Sequence, residues 1–207
     1  MSNNPLVDSG QVVPLMEEFY TIQGEGYHSG KAAYFARIGG CDVGCHWCDV
    51  KESWNADLHP PTAVEKIAES ASAFAETIVV TGGEPLMWNM EPLTSTLKAK
   101  GMSIHIETSG AYPLSGHWDW ICLSPKKTMP PKKELYPVAD ELKVIVFNAN
   151  DLKWAETHAA EVKDSCKLYL QPEWSKRDTV MPLITEYVMN NPKWQISLQS
   201  HKYIGIP

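Results

Sequence analysis

The segment GGCDVGCHWCD, from Gly39 to Asp49, contains three of the chain's five cysteines, at the spacing C-x3-C-x2-C. It follows YFARI, residues 34–38, an apolar stretch typical of a buried strand. No fourth cysteine lies near these three, whereas closed thiolate sites ordinarily use four protein ligands. The pattern therefore predicts a strand followed by a metal-binding loop with one coordination position left open.

Two kinds of metal site fit three cysteines at this spacing. A structural zinc site would need a fourth ligand, and the candidate, His46, lies inside the tight turn between Cys45 and Cys48. Structural zinc sites also usually pair two short ligand hooks, and the sequence shows no second hook. A [4Fe–4S] cluster held by Cys41, Cys45 and Cys48 would leave one iron for a chelating small molecule. We favour the cluster, with a structural zinc module as the alternative.

Helical and strand-like segments alternate after the cysteines. From Thr62, apolar residues recur at the helical period, and Thr62 with Glu65 fits a Ser/Thr-x-x-Glu capping box. Further helices are predicted near residues 90–100, 150–163 and 179–190. About seven strands are predicted: YFARIGG, TIVVTGG, MSIHIETSG, WICLSP, ELKVIVF, KLYLQP and WQISLQ. Strands joined by helical crossovers favour an α/β fold with a parallel sheet, either an open sheet or a partial barrel.

Polar residues and glycines follow most of these strands, where the carboxyl ends of parallel strands would form one rim. Ligand sites of α/β folds collect at that rim. Each group alone is weak evidence, but six groups on one predicted rim indicate a site. The groups are Cys41, residues 81–85 (TGGEP), 107–110 (ETSG), 124–126 (SPK), 171–172 (QP) and 199–202 (QSHK).

Composition limits the classes of function. The 207 residues fit one domain, or one domain with additions, and 43% apolar and 21% charged residues are typical of a globular protein. A net charge of −7 disfavours broad binding of nucleic acid, although lysines 126, 127, 132 and 133 fit either a local basic pocket or a solvated loop. No apolar run is long enough for a membrane span and the polar N-terminus predicts no signal peptide, so we expect a cytoplasmic protein. The odd number of cysteines suits a reducing compartment, with Cys122 and Cys166 as buried thiols.

The cysteine spacing together with TGGEP resembles the radical S-adenosylmethionine (SAM) superfamily. Further stretches narrow the resemblance to the 7-carboxy-7-deazaguanine synthase family. These are EEFYTIQGEGYHSGKAAYFARIGGCDVGCHWCD from Glu17 to Asp49, then ETSG, LSPK, LKVIVF, LQP and the C-terminal Q-x-H-K…G-I-P. The resemblance extends over nearly the whole chain.

The resemblance implies a single radical SAM domain over residues 1–207, a modified partial (β/α) barrel with its cluster loop at residues 41–48. It implies ring contraction of 6-carboxy-5,6,7,8-tetrahydropterin to 7-carboxy-7-deazaguanine with release of ammonia, a lyase step in queuosine and 7-deazapurine biosynthesis. The implied cofactors are a [4Fe–4S] cluster, catalytically used SAM and Mg²⁺. The implied partners are the pterin, an electron donor such as flavodoxin or ferredoxin, and a second copy in a homodimer. A glycyl-radical activating enzyme is the alternative within the superfamily, which the short chain and the QGEG and GIP stretches disfavour.

Residue roles also follow from the resemblance, with Cys41, Cys45 and Cys48 as the cluster ligands. Glu84 is expected to accept from the SAM ammonium, while Gly82 and Gly83 would let the backbone approach that ligand. The SAM-binding residues implied are Trp47, Cys48, Asp49, Gly83, Glu84, Ser109, Ser124, Pro125, Lys126 and Gln171. Those implied for the substrate are Ile22, Gln23, Gly24, Arg37, Thr81 and Pro207, the last through its α-carboxylate.

Two of these roles have structural alternatives. The guanidinium of Arg37 suits a substrate carboxylate because it can bind both oxygens, but a strand arginine also commonly forms a structural ion pair. Trp47 would shield the cluster and pack against SAM, or cover the core.

One residue departs from the family pattern. Where the family has Thr or Ser after the Cys-Asp pair, as a Mg²⁺ ligand, this chain has Val50, which carries no side-chain oxygen. Mg²⁺ prefers octahedral oxygen coordination. A water, Asp49 or another group would replace the hydroxyl, or the dependence on Mg²⁺ is weaker; the Mg²⁺ ligands thus stay unassigned.

Overall fold

The computed structural model describes residues 5–207 and contains one nine-stranded sheet in the order β3-β1-β2-β4-β5-β6-β7-β8-β9. Strands β2 and β4 to β9 are parallel, whereas β1 and β3 run antiparallel to their neighbours. The strands are β1 Val12–Ile22, β2 Ala32–Ile38, β3 Pro61–Ala63, β4 Thr77–Gly82, β5 Ser103–Thr108, β6 Trp120–Leu123, β7 Glu141–Val146, β8 Lys167–Pro172 and β9 Trp194–Ile196. This confirms the predicted α/β class.

The two faces of the sheet differ in polarity. The four longer helices, at residues 64–74, 91–99, 150–159 and 177–190, pack on one face and bury an apolar core there with Ile38, Val80, Ile104, Leu142 and Leu170. The helices are α1 Pro5–Asp8, α2 Val64–Phe74, α3 Glu91–Ala99, α4 Asn150–Ala159, α5 Arg177–Asn190 and α6 Ser200–Ile204. The other face carries many charged and polar side chains. It lines the interior of the curved sheet, which forms a partial barrel.

The expectation of about seven strands missed β1 and β3. Strand β1 includes the polar stretch EEFYT and is mostly half-exposed, so it lacks the continuous apolar pattern of the inner strands. Strand β3 is three residues long and pairs with residues 12–14 of β1. The polarity of β1 and the short length of β3 therefore explain why the sequence pattern did not predict these two strands.

The predicted capping box at Thr62 is wrong. Helix α2 begins at Val64, after Ala63, and the Thr62 hydroxyl instead donates to the carbonyl of Pro60 at 3.1 Å. Because residues 61–63 are extended in β3, Thr62 lies one residue too early to cap the helix.

Helix α4 and strand β9 are shorter than predicted, ending at Ala159 and Ile196. Within the described residues, no helix has the length and apolar character of a membrane span. Residues 1–4, which the single-domain and signal-peptide expectations include, lie outside the described part of the chain.

Candidate active site

A cavity of about 550 Å³ opens at the carboxyl ends of the parallel strands. This is the rim on which the sequence placed six polar groups, and each of those groups contributes at least one lining residue. Of the individually predicted site residues, the lining includes all except Pro125. They are Ile22, Gln23, Gly24, Arg37, Cys41, Cys45, Trp47, Cys48, Asp49, Val50, Thr81, Gly83, Glu84, Ser109, Ser124, Lys126, Gln171 and Pro207.

The three cysteines of the loop are half-buried free thiols that line this cavity together. Burial raises the pKa of Cys41 to about 11 and also raises the pKa of Cys45, so a bound cation is needed to hold these sulfurs as thiolates near neutral pH. In the described chain, no three His, Cys, Asp or Glu side chains converge closely enough for one metal ion. Three thiolates that line one cavity are the ligand set that a [4Fe–4S] cluster with one open iron would use.

His46 does not join the cysteines as a fourth ligand. It is exposed, and its ring makes edge contacts with Phe147 and Trp47 at centroid distances of 5.5 and 6.3 Å. This placement further disfavours the structural zinc alternative.

The glycine pair after β4 supports the base of the cysteine loop. Gly83 N donates to Ile38 O at 2.8 Å and Glu84 N donates to Gly40 O at 2.9 Å. A Cβ atom at Gly82 would lie 2.2 Å from Ile38 O, and one at Gly83 would lie 2.2 Å from Gly40 O. The close contact that a Cβ would prevent here is with the chain's own backbone, while both glycines also line the cavity, and the role of Gly83 toward SAM stays a prediction.

Glu84 joins the ends of β4 and β5. It is 1% exposed, and its Oε1 accepts from Leu86 N at 3.0 Å and Thr108 Oγ1 at 2.6 Å. Its Oε2 accepts from Ser109 N at 2.8 Å and from the Ser109 hydroxyl. A carboxylate offers about four acceptor positions, and protein donors occupy them. The role of Glu84 toward the SAM ammonium stays a prediction and would require one of these donors to give way.

Lys126 places a cation beside the cysteine loop. Its Nζ donates to both the carbonyl and the hydroxyl of Ser124 at 2.6 Å and lies 5.6 Å from the centre of the Trp47 ring. Burial lowers its pKa. Among the predicted SAM-binding residues, Lys126 thus contacts both Ser124 and Trp47.

Arg37 is only partly occupied by a structural ion pair. Its Nε lies 2.6 Å from Glu17 Oε1, its side chain is 20% exposed, and it lines the cavity. Its two terminal nitrogens make no hydrogen bond to another described residue, so they are left to bind a ligand carboxylate.

Three charged side chains, the buried Lys143 and the half-buried Glu25 and Glu107, form part of the cavity wall. Residue Glu107 was expected on the rim, but the sequence assigned a role to none of the three. Lys143 is 3% exposed, and its Nζ lies 2.6 Å from Glu25 Oε2 and 2.7 Å from Glu107 Oε2. Burial alone would lower the pKa of Lys143, but the carboxylates of Glu107 and Glu25 outweigh it and raise that pKa well above its ordinary value. Burial would raise the pKa of Glu25, yet Lys143 holds it at about 2. A lysine within the apolar stretch ELKVIV was the signal that could have identified this site.

The loop after β1, which carries Gln23 and Glu25, folds into the barrel interior. Gly26 N donates to Ser197 Oγ at 2.9 Å, and the Tyr27 ring stacks on Trp120 at 4.8 Å. Gly26 adopts φ +64°, a left-handed conformation that favours glycine. The loop therefore contacts both β6 and the segment after β9.

Glu141, two residues before Lys143 in β7, holds this loop in place through hydrogen bonds. It is 3% exposed, and its Oε2 accepts from Tyr27 N and Trp120 Nε1, both at 3.2 Å. Its Oε1 is buried without a hydrogen-bond partner among the described residues. Burial is the main cause that raises the pKa of Glu141 to about 7, so the carboxyl group is partly protonated at neutral pH.

The C-terminal segment closes the opposite side of the cavity. Gln199 Nε2 donates to Glu25 Oε1 at 2.9 Å, Ser200 N donates to Gly24 O at 2.9 Å, and Lys202 Nζ lies 2.6 Å from Asp49 Oδ2. Pro207 also lines the cavity, and its contact with the substrate stays a prediction.

The surroundings of Val50 offer few oxygen ligands for Mg²⁺. The Val50 carbonyl accepts from the amide and hydroxyl of Ser53 at 3.1 and 2.7 Å, and the Asp49 carboxylate pairs with Lys202. These residues alone do not form the oxygen-rich site that Mg²⁺ prefers.

Comparisons with known proteins give the same assignment as the geometry. Residues 36–123 match the family model described as the radical SAM superfamily. The chain is 64% identical to the 7-carboxy-7-deazaguanine synthase of Flavobacterium psychrophilum, over 97% of this chain and 96% of that protein. The synthase of Synechocystis is 46% identical over 93% of both chains.

A solved structure extends the agreement to the fold. The crystal structure of QueE from Escherichia coli superposes with a TM-score of 0.83 at 29% identity, over 97% of this chain and 99% of that one. The partial barrel, the three-cysteine loop and the near full-length relatives together place the chain in the 7-carboxy-7-deazaguanine synthase family of radical SAM enzymes.

Proposed function

We propose that the chain converts 6-carboxy-5,6,7,8-tetrahydropterin to 7-carboxy-7-deazaguanine and ammonia by radical ring contraction. One observation carries the proposal. The three cysteines share a single cavity with Arg37, with the group formed by Glu25, Glu107 and Lys143, and with the C-terminal residue. The cavity thus combines a cluster site with polar groups that suit a small, carboxylated, nitrogen-rich ring.

Cys41, Cys45 and Cys48 would hold three irons of a [4Fe–4S] cluster and leave the fourth for the amino and carboxylate groups of SAM. When reduced by one electron, such a cluster supplies cleavage of the SAM sulfonium to a hydrogen-abstracting radical. The surrounding residues orient SAM and limit access of water. These residues are Trp47, Cys48, Asp49, Gly83, Glu84, Ser109, Ser124, Pro125, Lys126 and Gln171.

The substrate would occupy the rest of the cavity. The terminal nitrogens of Arg37 would bind its carboxylate in a charge-assisted pair. Glu25 and Glu107 are acceptors suited to the N–H edge of a pterin, and the α-carboxylate of Pro207 would accept from the same edge. Ile22, Gln23, Gly24 and Thr81 would line the ring.

Lys143 would let these two acceptors stay ionised inside the barrel. A carboxylate without a partner in such a buried place would take up a proton, and it would then donate where the pterin edge needs an acceptor. The ion pairs of Lys143 with Glu25 and Glu107 therefore define which edge of a ring the cavity accepts.

The remaining proposals concern Mg²⁺, the protein partners and the cellular location. Because Val50 brings no side-chain oxygen, we expect a weaker Mg²⁺ dependence than in relatives with Thr or Ser there. The cluster requires an electron donor such as flavodoxin or ferredoxin. The free thiols suit a cytoplasmic location, and the family resemblance favours a homodimer.

An anaerobic assay tests the proposal. Reconstituted protein is incubated with 6-carboxytetrahydropterin, SAM and dithionite, and products are identified by mass spectrometry. Wild type is expected to yield 7-carboxy-7-deazaguanine, and Cys45→Ala is expected to yield neither this product nor 5′-deoxyadenosine. Reductive cleavage of SAM by the Cys45→Ala protein would contradict the cluster assignment.

A further inference from the structure

Ser197 follows β9 and lies beside the end of β8. Its N–H donates to Leu170 O at 2.9 Å, which continues the pairing of β8 with β9. Ser197 is 2% exposed, and its hydroxyl donates to Gln171 Oε1 at 2.6 Å and accepts from Gly26 N at 2.9 Å. One buried hydroxyl therefore joins a residue of the predicted SAM site to the loop that carries Glu25.

The two hydrogen bonds of Ser197 fix the orientation of the Gln171 amide. A hydroxyl has one proton, and a buried hydroxyl that accepts from a backbone N–H still needs an acceptor for that proton. The amide oxygen of Gln171 is this acceptor, so the amide nitrogen is turned away from Ser197. Gln171 is 3% exposed yet lines the cavity, and its Nε2 makes no hydrogen bond to another described residue. Two N–H donors are therefore left for a ligand.

The same hydroxyl also holds the loop after β1. Gly26, whose N–H it accepts, is the neighbour of Glu25 in the chain. The Glu25 carboxylate accepts from Lys143 Nζ at 2.6 Å and from Gln199 Nε2 at 2.9 Å. Because a peptide N–H has a fixed direction, its bond to Ser197 limits how far the Glu25 backbone can move.

These contacts form a chain of hydrogen bonds in which every donor points the same way. The chain runs from Gly26 N–H through the Ser197 hydroxyl to the Gln171 amide and on to a ligand, and bonds linked in this way polarise and strengthen one another. SAM offers acceptors to such an amide in its carboxylate, ribose and adenine groups. We propose that Ser197 is a positioning residue that directs the Gln171 amide toward SAM and couples the binding of SAM to that of the substrate at Glu25. The proposal rests on the proposed function.

Equilibrium binding of SAM tests this coupling. The anaerobically reconstituted protein is titrated with SAM in a calorimeter, with and without saturating 6-carboxytetrahydropterin, and the cluster is left unreduced so that SAM is not cleaved. Ser197→Ala removes the hydroxyl that carries the coupling. Thr94→Val is the matched control, since it removes a buried hydroxyl of α3 that accepts from His117 N and donates to Met90 O, both at 3.0 Å.

A third variant separates positioning from general support of the fold. If Ser197 acts on SAM through the Gln171 amide, Ser197→Ala should weaken SAM binding much less when Gln171 is already replaced by Leu. A merely structural role would weaken it equally in both backgrounds. The four proteins of this cycle are wild type, the two single variants and the double variant.

In wild type, substrate is expected to raise the affinity for SAM by about fivefold or more, which is the usual size of coupling between two sites. In Ser197→Ala, the affinity for SAM alone should fall by about fivefold, because the unfixed amide must be ordered on binding. The increase caused by substrate should shrink to less than about twofold in this variant, and Thr94→Val should behave as wild type. In the Gln171→Leu background, Ser197→Ala should change SAM affinity by less than about twofold.

Four results would overturn the proposal. These are full coupling in Ser197→Ala, an equal loss of coupling in Thr94→Val, an undiminished effect of Ser197→Ala in the Gln171→Leu background, and no coupling in a wild type that makes product. A wild type that forms no 7-carboxy-7-deazaguanine with dithionite would instead refute the proposed function, and this inference with it.

Discussion

Replacing Glu141 by Gln should stabilise the protein at alkaline pH. Burial raises the pKa of Glu141 from 4.5 to about 7, so the folded protein binds a proton that the unfolded chain has released. The free energy of unfolding therefore falls as pH rises from about 4.5 to about 7, and it stays lower above that range. Glutamine has nearly the same shape, still accepts from Tyr27 N and Trp120 Nε1, and never ionises.

The size of the effect follows from the pKa. Each pKa unit corresponds to about 1.4 kcal/mol, so a rise from 4.5 to about 7 corresponds to about 3 kcal/mol. The Glu141→Gln protein should exceed the wild-type free energy of unfolding by less than about 1 kcal/mol at pH 5 and by on the order of 3 kcal/mol at pH 8.5. The gain in stability arises because the amide places no negative charge beside Glu107 in this buried position. The lost attraction to Lys143 partly offsets that gain.

Urea denaturation of the anaerobically reconstituted protein, followed by tryptophan fluorescence at several pH values, measures this difference. Glu161→Gln, which replaces an exposed carboxylate, controls for the loss of one negative charge. A Glu141→Gln protein whose stability differs from wild type by the same amount at pH 5 and pH 8.5 would refute the reasoning.

Further variants test other parts of the site. Val50→Thr should strengthen the response of turnover to Mg²⁺ after chelation, since it restores an oxygen at little steric cost; saturation of the wild type at lower Mg²⁺ than the variant would show that another ligand has this role. Deleting Pro207 or adding a C-terminal tag should weaken substrate binding by on the order of 1.5–3 kcal/mol while iron content stays normal, and unchanged affinity would exclude a contact through the terminus. Lys143→Met should destabilise the fold by up to roughly 3 kcal/mol because two half-buried carboxylates lose their buried partner, and a loss below about 1 kcal/mol, measured by urea denaturation, would count against that ion-pair group. Gly83→Ala should lower the iron content on reconstitution because its Cβ meets Gly40 O, and full iron loading would show that the loop base can shift.

The sequence predicted the inner strands and the shared rim well because both depend on local patterns. Continuous apolar stretches mark strands buried on both faces, and parallel strands bring their carboxyl ends together whatever their order in the sheet. This is why Cys41, Glu107 and Gln199, far apart in the chain, line one cavity.

Contacts between segments that are distant in the chain could not be predicted from the sequence. Nothing local shows that Glu84 is saturated by donors from β5, or that Lys143 lies between Glu25 and Glu107. The glycines after β4 are a further example. The sequence indicates that another group approaches their backbone closely, but it does not identify that group.

The central claim is that the protein contracts the pterin ring and releases ammonia. The stoichiometry of the reaction tests this claim most directly. Anaerobic turnover is run with 6-carboxytetrahydropterin, SAM and dithionite, and 7-carboxy-7-deazaguanine, ammonia and 5′-deoxyadenosine are quantified in the same samples. We expect one ammonia for each 7-carboxy-7-deazaguanine, with product in large excess over 5′-deoxyadenosine because SAM is regenerated. Cleavage of SAM to 5′-deoxyadenosine without any deazaguanine, or a product that retains the nitrogen, would contradict the proposed ring contraction.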